Sequence, residues 1–229
     1  MRVWSLALSL ALLLSCGEAP VPTRTSLEVV PPTTRVHGKT YGEWSVAWWK
    51  FVNAIPSSDS PYFRDDNCEK GQSGPVWFLF PKRGTSPVVV TRYCAVPSGK
   101  YLFFPMQAAT NDNVGRGAPM TVDELRADVQ KVLASYTPKC WLDGMEFQGV
   151  TMDSPYRVVS PVFSYRAPSG NVWGYPAGLL VDPVVGEGVW IMIEPLAVGH
   201  HVIRFSSSSL ATASIYDFTY NLDIVPPKK

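Results

Sequence analysis

The most regular alternation in the chain lies near its C-terminus. Tyr216, Phe218, Tyr220, Leu222 and Ile224 alternate with Asp217, Thr219, Asn221 and Asp223, the period of a strand with one apolar and one wet face. It predicts a half-buried antiparallel strand that closes a sandwich. Short apolar runs bounded by Gly, Pro and Ser predict further strands at 76–80, 88–93, 101–104, 158–165, 179–181, 189–193 and 202–205. The stretch 74–92 reads as a β-hairpin. Asp143-Gly144, between 141–142 and 145–147, reads as a tight hairpin turn because both residues tolerate positive backbone angles.

Two segments carry the helical period instead. Thr40 and Glu43 form a capping box, each satisfying a backbone N–H at a helix start. Trp44, Ala47, Trp48, Phe51, Val52 and Ile55 mark its buried face, with Trp49 at the edge and Ser45, Lys50 and Asn53 facing away; the helix ends near Ala54, before Pro56. A second box, Thr121 with Glu124, opens a helix through Leu125, Val129, Val132, Leu133 and Tyr136 that ends before Pro138. The expected fold is mainly β: an antiparallel β-sandwich or jelly-roll-like domain with two peripheral α-helices.

The first residues belong to neither pattern. Arg2, the apolar run 6–14 and Ser15 supply the charge, apolar core and small residue of a secretory signal. Leu13-Leu14-Ser15-Cys16 resembles the lipobox of bacterial lipoproteins, which implies that Cys16 is acylated and becomes the new N-terminus. The expected organisation is a signal peptide at 1–15, a Pro/Thr-rich tether at 16–38, extended at about 3 Å per residue, and one globular domain at 39–229. Gly17, not Asp, follows the cysteine, which by resemblance to enterobacterial sorting favours the outer membrane.

Charge narrows the partners. Twenty basic side chains against nineteen acidic ones, with no long block of either sign, leave no footprint for nucleic acid. No later stretch approaches the ~18 apolar residues of a membrane span, so the expected membrane link is the lipid on Cys16. In an exported protein the remaining cysteines tend to pair. Cys68 with Cys94 is the expected disulfide and Cys140 a small buried apolar group, although spacing alone leaves the other two pairings open.

Several blocks together resemble a set of uncharacterised exported bacterial proteins. They are Tyr41-Gly42-Glu43-Trp44 with Trp48-Trp49, Gly74-Pro75-Val76-Trp77-Phe78-Leu79, Leu102-Phe103-Phe104-Pro105 and Pro195-Leu196-Ala197-Val198-Gly199-His200. The resemblance covers most of 39–225 and implies no activity. It implies a cysteine soon after the Phe-Phe-Pro block; Asn111-Asp112-Asn113 stands there instead.

Candidate chemistry is sparse, and no catalytic residue is assigned. His200 and His201 are adjacent on a strand and point to opposite faces, so both cannot ligate one metal without distortion, and His37 stands apart. Gly71-Gln72-Ser73-Gly74 is a turn, and no Gly-x-Ser-x-Gly elbow occurs. Asp65, Asp66 and Glu69, or Asp112 between its asparagines, could offer oxygens to Ca²⁺. Asp182 and Glu194 could serve an exported hydrolase if they converged at ~5 to 9 Å. Asn171, Trp173 and Tyr175 lie in a glycine-flanked loop where a sugar or peptide could stack. The expected function is an envelope-anchored, non-catalytic surface lipoprotein that binds a carbohydrate or protein partner. The alternatives are a hydrolase using paired carboxylates and a structural envelope component.

Overall fold

The computed structural model describes residues 29–66 and 68–227; the signal segment, Cys16 and the first part of the tether lie outside the described residues. In chain order the elements are α1 (Tyr41–Ala54), β1 (Val76–Phe78), β2 (Val88–Pro97), β3 (Tyr101–Asp112), α2 (Val122–Leu133), β4 (Tyr136–Leu142), β5 (Met145–Glu146), β6 (Arg157–Val159), β7 (Phe163–Arg166), β8 (Leu180–Ile193), β9 (Gly199–Ser209) and β10 (Ser214–Val225). One sheet has the order β1-β3-β8-β6, with β7 also on β8; the other has the order β2-β10-β9-β4-β5. The protein is mainly β, and the two sheets pack as a sandwich.

The second sheet alternates as the sequence does. Val88, Val90, Cys94 and Val96 of β2 and Phe218, Tyr220, Leu222 and Ile224 of β10 are buried, meeting Leu102, Phe104, Val189, Ile191 and Ile193 of the first sheet. The first sheet is covered on both faces. Its strands therefore read as unbroken apolar runs, as in 102–106 and 189–193. Trp48, Trp49, Val52 and Trp44 of α1 pack on its far side against Phe78, Phe103, Trp190 and Met192. Each such side chain, fully buried, contributes about 1.5–3 kcal/mol. Leu125, Val129 and Leu133 of α2 enter the core between the sheets. Both helices begin at the expected capping boxes.

Non-local pairing departs from expectation. The stretch 74–92 is not a hairpin: β1 pairs parallel with β3, and β2 pairs parallel with β10 in the other sheet. The sheets are thus mixed, and β10 lies inside its sheet, between β2 and β9, not at a closing edge. The expected disulfide Cys68–Cys94 is formed, tying the segment before β1 to β2. Cys140 is a free thiol, fully buried, and burial pushes its pKa well up.

Ser45 and Asn53 are buried, although helical spacing turned them outward. The cause is a further layer: the chain between β6 and β7, and the loop before β8, cross the outer side of α1. At Gly42 that crossing is so close that an added Cβ would meet the Val159 carbonyl at 2.9 Å. Residues 29–38, expected as tether, also lie against the domain. Val29 bridges to Ile193, the Tyr41 hydroxyl donates to the Val30 carbonyl at 2.5 Å, and Trp44 Nε1 donates to the Val36 carbonyl at 2.9 Å. Val30 and Val36 are apolar enough to be worth burying, which the surrounding Pro and Thr obscure.

Candidate functional site

A β-bulge in β3 creates the site. Phe103 opposes Met192 and Pro105 opposes Trp190, but then Met106 is skipped and Gln107 opposes Val189. A bulge re-aims every residue after it. Ala108, Thr110 and Asp112 therefore face the α1 side, opposite Gly188, Gly186 and Val184. Small residues make the floor shallow at that point. Gly188 has no alternative, since an added Cβ would lie 2.4 Å from that of Ala108 and 2.6 Å from the Gln107 carbonyl.

Over one end of this floor hangs the loop that carries the sequence-predicted residues. Asn171 is buried, and its amide nitrogen donates to the carbonyls of Pro168 (2.9 Å) and Tyr175 (2.7 Å). Its oxygen accepts from the backbone N–H groups of Trp173 (3.2 Å) and Tyr175 (3.0 Å). That uses its whole bonding capacity, so Asn171 shapes the loop and has nothing left for a ligand. Trp173 donates its indole N–H to buried Asn53 at 2.7 Å. The Tyr175 hydroxyl donates to Asp112, 3.1 Å from Oδ2. Burial first, and then the Asp112 charge, push the Tyr175 pKa up to about 12, so it remains a donor at neutral pH.

Two cavities adjoin here. The smaller, about 180 Å³, is lined by Asp112, Arg116, Trp173 and Tyr175 among others. The larger, about 250 Å³, lies over 105–108, walled by Trp48, Trp49, Tyr62, Lys82, Arg83 and Tyr216. The guanidinium of Arg83 lies 4.7 Å from the centre of the Trp173 ring and joins the two. Trp49 is buried, and its indole N–H has no acceptor among the described residues. The same holds for the Trp77 and Trp190 indoles, and the Trp49 nitrogen lies against Gly186 and not in the open cavity.

The structure brings Trp173, Tyr175 and Asp112 together and leaves the other candidates apart. Asp65 takes a hydrogen bond from Lys82 at 2.6 Å, and Asp66 pairs with Arg64 at 2.8 Å; both carboxylates are engaged by cations. No cluster of three or more His, Cys, Asp or Glu able to hold a metal occurs among the described residues. Asp182 lies near the start of β8 and Glu194 just past its end, about 40 Å apart along an extended strand, and both are exposed. They share no cleft. His201 binds Asp143 at 2.8 Å and the Ala197 carbonyl at 3.1 Å, and His200 binds Asp223 at 3.0 Å, so each ring braces a turn or a neighbouring strand.

Sequence reasoning missed Arg83, Trp49 and Gln107 as cavity residues. It also missed Arg92, which occupies an inward position of β2 between Val90 and Cys94 and is fully buried. The strict alternation through 88–96 was the available signal for Arg92. Nothing local marks the other three, because the bulge and the later loop define what they face.

No protein-family model matches the chain, and no curated protein matches it. Among solved structures, the chain is similar to a family 123 glycoside hydrolase from Clostridium perfringens, whose structure concerns the hydrolysis of glycolipid glycans. Identity is 12% and the TM-score 0.21; the match covers 60% of this chain and 23% of that one. The chain thus spans less than a quarter of that protein, and a likeness this slight carries no argument.

Proposed function

We propose that this protein is an envelope lipoprotein, anchored through Cys16 and directed to the outer membrane, whose sandwich domain binds a carbohydrate without catalysis. One observation supports this most: Tyr175 and Asp112 line one cavity and Arg83 a second, both with aromatic walls, and Arg83 lies over Trp173 of the first. A sugar offers hydroxyl donors for a carboxylate such as Asp112 and apolar C–H faces for rings such as Tyr175. At about 250 Å³ the larger cavity falls below the ~300–1,000 Å³ of pockets for drug-sized ligands. It suits one terminal ring of a chain.

Binding of the purified domain to an oligosaccharide array is the test. Tyr175→Phe and Asp112→Asn should each weaken the retained sugar tenfold or more with the thermal midpoint kept within about 2 °C. A domain that retains no sugar but captures an envelope protein would transfer the reading to a protein partner. Mass spectrometry of the native chain should find a diacylglycerol-modified Cys16 at the N-terminus, and an intact Met1 would remove the anchor.

A further inference from the structure

We infer that the ligand is acidic: Arg83 is a preset receptor for the carboxylate of a sugar such as a uronic acid, an inference that rests on the carbohydrate reading above. Three cations line the two cavities: Lys82, Arg83 and Arg116. Lys82 is committed to Asp65 at 2.6 Å. Arg116 is held by the Asn111 side chain at 2.8 Å and the Asp112 carbonyl at 2.9 Å, with Asp128 at 3.8 Å. Arg83 has no carboxylate partner among the described residues, and its side chain is exposed at the junction of the cavities.

Arg83 is nevertheless held in place. Its backbone N–H donates to the Tyr62 carbonyl at 2.7 Å, and its guanidinium lies over Trp173, whose own N–H is fastened to Asn53. Trp173 is thus a positioning residue for a cation, with one ring face already covered, and not the stacking platform that its loop suggested. A long side chain pays rotamer entropy when it binds, and one held beforehand pays less. The planar fork offers a bidentate fit to a carboxylate, which a lysine lacks. The Gln107 and Tyr62 side chains in the same wall supply polar contacts for the rest of the ring. The one carboxylate lining the cavities, Asp112, is engaged by the Tyr175 hydroxyl and by the Val114 N–H at 2.8 Å. It stands in the neighbouring cavity.

The experiment compares uronate oligosaccharides with their carboxyl-reduced counterparts, which keep the rings and lose the charge. Wild-type protein should bind the acidic form at least tenfold more tightly. Arg83→Met should bring the acidic form down to the level of the reduced one while leaving the reduced form unchanged. Arg83→Lys should keep only part of the preference, and Trp173→Phe, which keeps a ring and loses the bond to Asn53, should lower the preference severalfold without moving the reduced form. Equal binding of both forms, or a preference unaltered in Arg83→Met, overturns this inference and leaves the carbohydrate reading standing. Retention of neither form removes both.

Discussion

Arg92→Met should be among the most destabilising single changes outside the aromatic core. The arginine is 1% exposed and donates to the Phe80 carbonyl (2.6 Å), the Tyr220 hydroxyl (2.6 Å), the Pro61 carbonyl (2.5 Å) and the Arg64 carbonyl (2.8 Å). Methionine keeps an apolar stem and no donor. Phe80 and Tyr220 still have each other, because the Tyr220 hydroxyl donates to the Phe80 carbonyl at 2.8 Å and accepts from its N–H at 2.9 Å. The carbonyls of Pro61 and Arg64 lose their partner, at about 1–3 kcal/mol for each one left buried. Removing the guanidinium returns part of this, because a buried charge is itself expensive to desolvate. The net expectation is about 2–5 kcal/mol, and at ~2–4 °C per kcal/mol for a domain of this size the thermal midpoint should fall by about 4–20 °C. Denaturant unfolding monitored by tryptophan fluorescence measures it, and limited proteolysis should find new cleavage within 57–66. Thr91→Ala, whose side chain faces outward on the same strand, is the control and should stay within ~0.5 kcal/mol. If Arg92→Met costs less than about 1 kcal/mol, the residue does not clamp this loop to the sandwich.

Other changes test other links. Gly188→Ala should destabilise the domain by about 1–3 kcal/mol by overpacking, since the new methyl meets backbone as well as the Ala108 side chain. Adding Ala108→Gly should recover only part of that loss in the same denaturation assay. The backbone N–H and then the side chain of Thr121 hold the Glu124 carboxyl below its ordinary value of 4.5. A depressed carboxyl contributes stability that is fully present above the unfolded value and is lost as pH falls through the folded one. NMR titration should show Glu124 moving only part of the way toward 4.5 in Thr121→Ala, which loses the hydroxyl and keeps the backbone N–H, and an unmoved titration would remove the hydroxyl as a cause.

Both capping boxes were legible because each is complete within four residues and needs no tertiary partner. The alternation of β10 was legible for the same reason. β8 was not: Pro183 and the Gly186-x-Gly188 pair looked like breaks, yet the strand runs through them because β3 packs closely there. β3 was cut short at Phe104 since Pro105 and the Asn-Asp-Asn run resemble a turn, whereas a bulge carries the strand on to Asp112. The site was half legible. Trp173 and Tyr175 stood out as loop aromatics, but their partners Asn53 and Asp112 are 120 and 63 positions away. Contacts at that separation leave no local trace.

The bridge between Val29 and Ile193 fixes where the first described residues meet the sandwich. The chain enters beside the Ile193 end of β8, while Asp112 and Tyr175 lie near Val184, about 30 Å farther along the strand at its usual rise. Val29 and the Tyr175–Asp112 pair thus sit toward opposite ends of β8, so a label or surface link made at Val29 would leave the Tyr175 loop at the far end of the strand.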